Sequence, residues 1–364
     1  MQSPVSPEQI PVTVLTGFLG AGKTTLLNRI LKEQHGHKIA VIENEFGPEG
    51  IDNDLLVSDG GEQIVEMNNG CICCTVRGDL VRILGELRDK RANKEISFDR
   101  VIIETTGMAN PGPVAQTFFM DDDIASSYLL DAIVTVVDAK HGHATLDAQP
   151  EAQNQVGFAD RILMSKTDLV DSDEIESLRD RLVRMNPRAP IAPVHMGQVP
   201  IKDVLDIRGF NLNAVLEIDP DFLAAEHPDA LKSRKSKGGD PQNHDHGHHD
   251  HDHDHDHHGH AHHHDDAIKA FVFQSKRPFD AAKLEHYLGA LTQVYGQDML
   301  RYKGVLFVDA SPRRMIFQGV HMLMGADVGR AWGRDEVPSS KMVFIGRNLP
   351  RDAIVKGLEA CLAR

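Results

Sequence analysis

Gly17-Phe18-Leu19-Gly20-Ala21-Gly22-Lys23-Thr24 decides the fold, because it meets G-x-x-x-x-G-K-[ST] at every fixed position. The glycines let backbone N–H groups curl around phosphate oxygens at the positive end of a following helix. In that geometry Lys23 reaches the β- and γ-phosphates, and the Thr24 hydroxyl ligates Mg²⁺. The flanks match the requirement. A continuous apolar run, Val12-Thr13-Val14-Leu15, precedes the motif, and Leu26, Leu27, Ile30 and Leu31 follow it at helical spacing. Thr25 extends the expected phosphate-binding set.

Further apolar, β-branched runs lie at 39–42, 101–103, 132–137 and 161–164. Each is continuous rather than alternating, as expected of strands buried on both faces of a mostly parallel sheet. Leu80, Ile83, Leu84 and Leu87 mark another amphipathic helix. The pattern predicts a doubly wound α/β domain. From about residue 232 the chain turns basic and Gly-rich, and 244–264 is almost purely His and Asp. Without apolar groups it has no core to build, so a linker disordered in the absence of metal is expected. Order is predicted to resume with strands at 268–273, 304–308, 315–317 and 342–345 and helices at 280–291 and 351–362. That is a small α+β domain. The expected division is a tail at 1–9, the P-loop domain at 10–231, the linker at 232–266 and the second domain at 267–364.

Base choice is read from Ser165-Lys166-Thr167-Asp168, which has the [NST]-K-x-D pattern and follows a buried strand. The Asp168 carboxylate can accept from guanine N1–H and the 2-amino group, while the Lys166 stem covers the ring. Adenine offers neither donor and would leave a carboxylate unpaired, so GTP is expected over ATP. Glu104-Thr105-Thr106-Gly107 has the D-x-x-G layout with Glu in place of Asp. Glu104 is the first candidate for the Mg²⁺ shell and Gly107 for sensing the γ-phosphate. Asp138, closing the 132–137 run, is a rival for the carboxylate role. Met108 stands where fast GTPases carry a water-orienting Gln, which predicts intrinsic hydrolysis below about one turnover per minute.

A second chemistry is written in Gly70-Cys71-Ile72-Cys73-Cys74, between the P-loop and Glu104. Thiolates favour Zn²⁺ and also accept Co²⁺, and zinc takes four ligands. Cys71, Cys73 and Cys74 supply three. Glu43 or Glu45, a water, or a client side chain is left for the fourth, and such an incomplete site suits transfer better than storage. The His/Asp segment, with His244, His246, His251 and His253 among its ligands, reads as an arm collecting divalent ions.

Net charge is −15 with histidines neutral. That charge argues against nucleic acid and anionic lipid as partners but not against cations. No apolar run approaches the roughly 18 residues a membrane helix needs, and residues 1–7 lack the features of a signal peptide, so a cytoplasmic address is expected. Oligomeric state is not legible, and Cys361 has no assigned role.

These motifs, with Asn44-Glu45-Phe46-Gly47, Leu300-Arg301-Tyr302-Lys303-Gly304 and Phe317-Gln318-Gly319-Val320, resemble the CobW-type metallochaperone GTPases, the YjiA-like branch in particular. The resemblance implies a GTPase domain, a CobW C-terminal domain, and metal handed from the C-x-C-C thiolates to client metalloproteins under GTP control. The variants it leaves open are a cobalt or iron chaperone serving cobalamin synthesis or nitrile hydratase, and a zinc buffer. Pro48 and Met120-Asp121-Asp122-Asp123 depart from the family's pattern at positions bearing on the non-cysteine ligands.

Overall fold

The computed structural model describes residues 9–33, 35–43, 56–57, 63–66, 76–210, 266–334 and 336–363. The first unit runs β1 (Ile10–Gly17), α1 (Lys23–Lys32), β2 (Ile39–Glu43), β3 (Leu56–Val57), β4 (Gln63–Glu66), α2 (Val76–Ala92), β5 (Arg100–Glu104) and α3 (Pro111–Met120). It continues through α4 (Asp122–Ser127), β6 (Tyr128–Asp138), α5 (Gly142–Ala148), α6 (Pro150–Phe158), β7 (Arg161–Ser165), α7 (Ser172–Met185) and β8 (Ile191–Val194). Its eight strands lie in the order β3-β4-β2-β5-β1-β6-β7-β8. All pairings are parallel except β3 with β4. The result is a P-loop GTPase fold.

The apolar runs are unbroken because successive residues feed two cores. Val12, Val14, Ile42, Ile103 and Ile133 pack with Leu80, Leu84, Phe118, Val156 and Leu182 from α2, α3, α6 and α7. Leu15, Val41, Ile102, Val134 and Val136 pack with Leu26, Leu27 and Ile30 of α1 on the opposite face. No described helix is long and apolar enough to cross a membrane.

The second unit runs β9 (Ile268–Ser275), α8 (Ala281–Tyr295), β10 (Met299–Leu306), β11 (Arg313–Val320), β12 (Leu323–Ala331), β13 (Ser340–Arg347) and α9 (Arg351–Ala360). Its antiparallel sheet has the order β12-β11-β10-β13-β9. Along β13 the pleat sends Met342 and Phe344 toward Leu284, Leu288 and Leu358 of the two helices. Val343 and Ile345 join the core of the first unit instead. The β9, β13 and β10 part of the sheet is therefore covered on both faces, by its own helices and by α6 and α7.

The strands depart from the sequence expectations at several places, the short β3 and β4 among them. The strand expected at 304–308 occupies Met299–Leu306, because Arg301 and Lys303 read as loop residues yet are buried against Asp160. A fifth strand, β12, was not anticipated. It is a largely exposed edge strand with Gly325 and Gly329 in it, so hydrophobic periodicity gives no signal. Short β8, with Pro193 inside, was also missed, and Pro is tolerated there because β8 is an edge. The expected linker over 232–266 lies outside the described residues except for Asp266.

Asp160 fastens the two units. Its Oδ1 accepts from Arg301 at 2.8 Å and Lys303 at 2.9 Å, and its Oδ2 accepts from the Ile133 amide at 3.1 Å. Arg301 and Lys303 also donate to the Gly209 carbonyl, at 3.0 and 2.7 Å, and Arg301 stacks on the Phe210 ring. Burial pushes the Lys303 ammonium down to about 8, with Arg301 adding to the fall and Asp160 opposing it.

Candidate functional site

The carboxyl ends of β5, β1, β6 and β7 converge on the P-loop. Gly17 closes β1 with φ of 143°, and a Cβ there would collide with the Val136 carbonyl on the neighbouring strand. This close approach lets residues 18–22 turn tightly into α1. Gly22 stands at the helix N-cap position and provides no side-chain acceptor, so the first N–H groups of α1 have no side-chain cap. Uncapped N–H groups and the helix dipole together favour an anion.

Lys23 folds back over the loop, donating to the carbonyls of Gly17 at 2.9 Å and Phe18 at 3.4 Å. Burial pulls its pKa below the ordinary lysine value, while the Glu104 charge raises it. The Thr24 hydroxyl donates to Glu104 Oε1 at 2.9 Å. The hydroxyl and the carboxylate are thus within one coordination shell's reach of each other.

Glu104 ends β5 in register with Glu43 at the end of β2, and Glu43 is in register with Glu66 at the end of β4. Three adjacent parallel strands therefore end in register at glutamate positions. Gly107 follows Glu104 and backs onto the P-loop, where a Cβ would strike the Leu19 backbone. The Gly107 and Ala109 carbonyls each accept from Gln155 Nε2 of α6 at 3.0 Å.

The base loop is tied to the phosphate loop. Ser165 Oγ donates to the Ala21 carbonyl at 2.6 Å. Lys166, in the left-handed region at φ 57°, donates to Asp138 Oδ2 at 2.7 Å. Rejection of adenine by an unpaired carboxylate is strongest where Asp168 is buried, and in the structure it is not. Its side chain is 49% exposed and meets His195 Nδ1 at 3.4 Å, because it is the middle residue of a one-turn 3-10 helix, Thr167–Leu169, on the loop that leaves β7. A cavity of about 410 Å³ opens beside the P-loop, walled by Phe18, Ala21, Val136, Asp138, His141 and Lys166.

Residues 11–193 match the family described as CobW/HypB/UreG, nucleotide-binding domain. Residues 268–362 match the cobalamin synthesis protein cobW C-terminal domain. The chain belongs to the CobW family. A protein from Escherichia coli K12 named zinc chaperone YjiA is 41% identical, with 95% of this chain and 96% of the relative covered. A Pseudomonas aeruginosa protein named zinc chaperone CobW is 33% identical over 98% of this chain and 92% of its own. The crystal structure of Zn(II)-bound YjiA GTPase from E. coli superposes with a TM-score of 0.75 at 37% identity, spanning 98% of this chain and all of the other.

In this CobW-family chain the expected phosphate, Mg²⁺ and base residues gather at one edge. Glu43 reaches the same edge. Cys71, Cys73, Cys74 and Glu45 lie outside the described residues, as do the linker histidines, and among the described residues no cluster of metal-ligating side chains forms. Sequence reasoning missed Gln155, because one amide in an ordinary helix carries no pattern. It also did not see that Asp138 contacts Lys166.

α6 carries two more such amides. Gln153 Oε1 accepts from the Ala267 amide at 3.1 Å, and Asn154 Oδ1 accepts from Arg347 at 2.8 Å. Three consecutive side chains thus touch the start of β9, the end of β13 and the loop after β5.

Proposed function

We propose that the chain is a GTP-dependent metal chaperone, with zinc as cargo, built from a GTPase unit at 10–231, a metal-collecting linker at 232–266 and a CobW C-terminal unit at 267–364. The observation carrying the reading is the row of strand ends Glu66, Glu43 and Glu104, one member of which touches Thr24. Cys71 is five residues beyond Glu66, so chain length alone keeps it within about 18 Å of that strand end. The cysteine motif is tethered to the edge that holds the phosphate-sensing loop. Relatives named zinc chaperones, alike over nearly the whole chain, support the choice of cargo.

Phosphates bind at 17–25, with Lys23 leaving the Gly17 carbonyl for the β- and γ-oxygens. Asp168 and Lys166 read guanine. Thr24 and Glu104 fit a Mg²⁺ shell, hydroxyl and carboxylate being hard oxygen donors already in contact. Bound there, Mg²⁺ would neutralise charge developing on the phosphates. Gly107 senses the γ-phosphate. Cys71, Cys73 and Cys74, with Glu43 or Glu45, hold zinc more tightly when the triphosphate orders these loops, and client metalloproteins take the ion after hydrolysis.

The test is a zinc and cobalt titration of the full chain and a Cys73→Ala/Cys74→Ala variant, in empty, GDP and non-hydrolysable GTP-analogue forms. Tighter zinc binding with the analogue in wild type, lost in the variant, is expected. Reciprocity requires zinc to tighten the analogue by the same factor. Equal zinc affinity in all three nucleotide states overturns the reading.

A further inference from the structure

Asp138 is the carboxylate for which the nucleotide site has no assigned use. It ends β6, beside β7 and in register with Ser165. The Thr24 hydroxyl contacts Glu104, while Asp138 turns to the base side. Its Oδ2 accepts from Lys166 Nζ at 2.7 Å and lies 3.0 Å from His141 Nδ1. Its Oδ1 accepts from the backbone amides of Lys140 at 2.9 Å and His141 at 3.3 Å. Both oxygens are thus engaged, and the side chain is only 11% exposed. A carboxylate held from four directions has little freedom to swing into a metal shell.

We propose that Asp138 is a positioning residue for base recognition, holding the Lys166 ammonium at the wall of the P-loop cavity so that the lysine stem lies along the base and leaves Asp168 to the guanine. The inference rests on the guanine reading of Lys166 and Asp168 given above. The physical reason is competition. Lys166 and Asp168 are two residues apart, and an untethered ammonium can satisfy the Asp168 carboxylate without any base present. Asp138 offers the ammonium a less exposed partner, 2.7 Å away, since Asp168 is 49% exposed and Asp138 11%. Burial alone would raise the Asp138 carboxyl, but the hydrogen bonds from Lys166 and His141 outweigh it and hold the group below the ordinary carboxylate range. The carboxylate is thus charged and able to tether the amine.

Asp138→Asn separates this role from a structural one. The Asn carbonyl can still accept from the Lys140 and His141 amides, while its NH₂ replaces the oxygen that faces Lys166. Binding of fluorescent GDP and ADP is measured for the full chain, Asp138→Asn, Lys166→Ala and the double variant, with melting temperatures alongside. Asp138→Asn is expected to weaken GDP about ten-fold, within the coupling range of contacting residues, at an unchanged melting temperature. In the Lys166→Ala background the same change is expected to have no effect, and Asp138→Glu restores part of the affinity. An equal loss of GDP affinity with and without Lys166 overturns the proposal, and so does a Mg²⁺-dependent loss shared by ADP. A wild-type chain that binds ADP as well as GDP overturns the guanine reading itself, and the proposal with it.

Discussion

Lys23 and Lys303 are two amines from which burial has stripped most of their water, and both are pulled below the ordinary lysine range for that reason. Their partners differ in kind. Lys303 shares Asp160 with Arg301 and is further bonded to the Gly209 carbonyl. Among the described residues Lys23 hydrogen-bonds only to two carbonyls of its own loop, with the Glu104 charge acting from a distance. Neutral carbonyls compensate an ammonium far less than a carboxylate or phosphate does. One lysine already has a share of a carboxylate supplied by the protein, and the other awaits an anion. A buried cation whose hydrogen bonds go only to neutral groups therefore points to a ligand site, whereas one sharing a carboxylate points to architecture.

Asp160→Ala gives the largest expected effect. It leaves Arg301 and Lys303 buried together without their shared carboxylate, and breaking one partner of such a group costs about 3–5 kcal/mol. Urea unfolding should show that loss, while GDP affinity of the folded fraction stays at the wild-type value. A comparable fall in GDP affinity would mean that the two clusters are one system, and the contrast would fail.

Lys23→Ala should do the reverse. Two charge-assisted hydrogen bonds to phosphate, each worth about 1.5–3 kcal/mol, put the loss of GTP affinity at about 100-fold or more. Stability should hold or rise slightly, because a desolvated ammonium is removed and only its bonds to loop carbonyls are lost. Equilibrium nucleotide binding and a melting curve on the same sample decide it. A large drop in melting temperature with intact binding would make Lys23 the structural lysine.

The difference between the two sites is also a difference in what the sequence reveals. Lys23 is legible because the backbone of 17–24 must take one shape to cradle phosphate, and that shape fixes residue types at fixed spacing. The core strands are equally legible, since burial on both faces leaves unbroken runs such as Val101-Ile102-Ile103. Asp160, Arg301 and Lys303 are not, because their pairing spans 141 and 143 positions and depends on how two units meet. Gln155 and the Asp138–Lys166 contact fail for the same reason. Local pattern records local geometry, and a pair made only by the fold leaves no spacing to read. The resemblance to the CobW family supplied the second unit's identity, while β12, exposed and glycine-containing, showed no periodicity from which to count it.

The smallest effect is the most selective for the comparison, because it follows protonation of Lys303 alone. An amine held at about 8 in the folded chain and near 10.5 in the unfolded one makes the unfolded state bind more protons between those values. Stability from this group therefore rises as pH climbs from about 8 toward 10.5, and below about 8 the penalty for the charged, buried amine is present in full. Lys303→Met removes the titration, so the variant's stability should lack that part of the slope. The gain over wild type should be greatest below pH 8, because burial outweighs Asp160 in setting the amine at about 8. Because the Lys303 side chain keeps 15% of its exposure, solvent screening holds the effect below that of Asp160→Ala. Chemical denaturation at pH 7, 8.5 and 10 for both proteins measures it. Parallel stability curves across that range would show that Lys303 is not depressed, and the likeness of the two lysines on which the contrast rests would be lost.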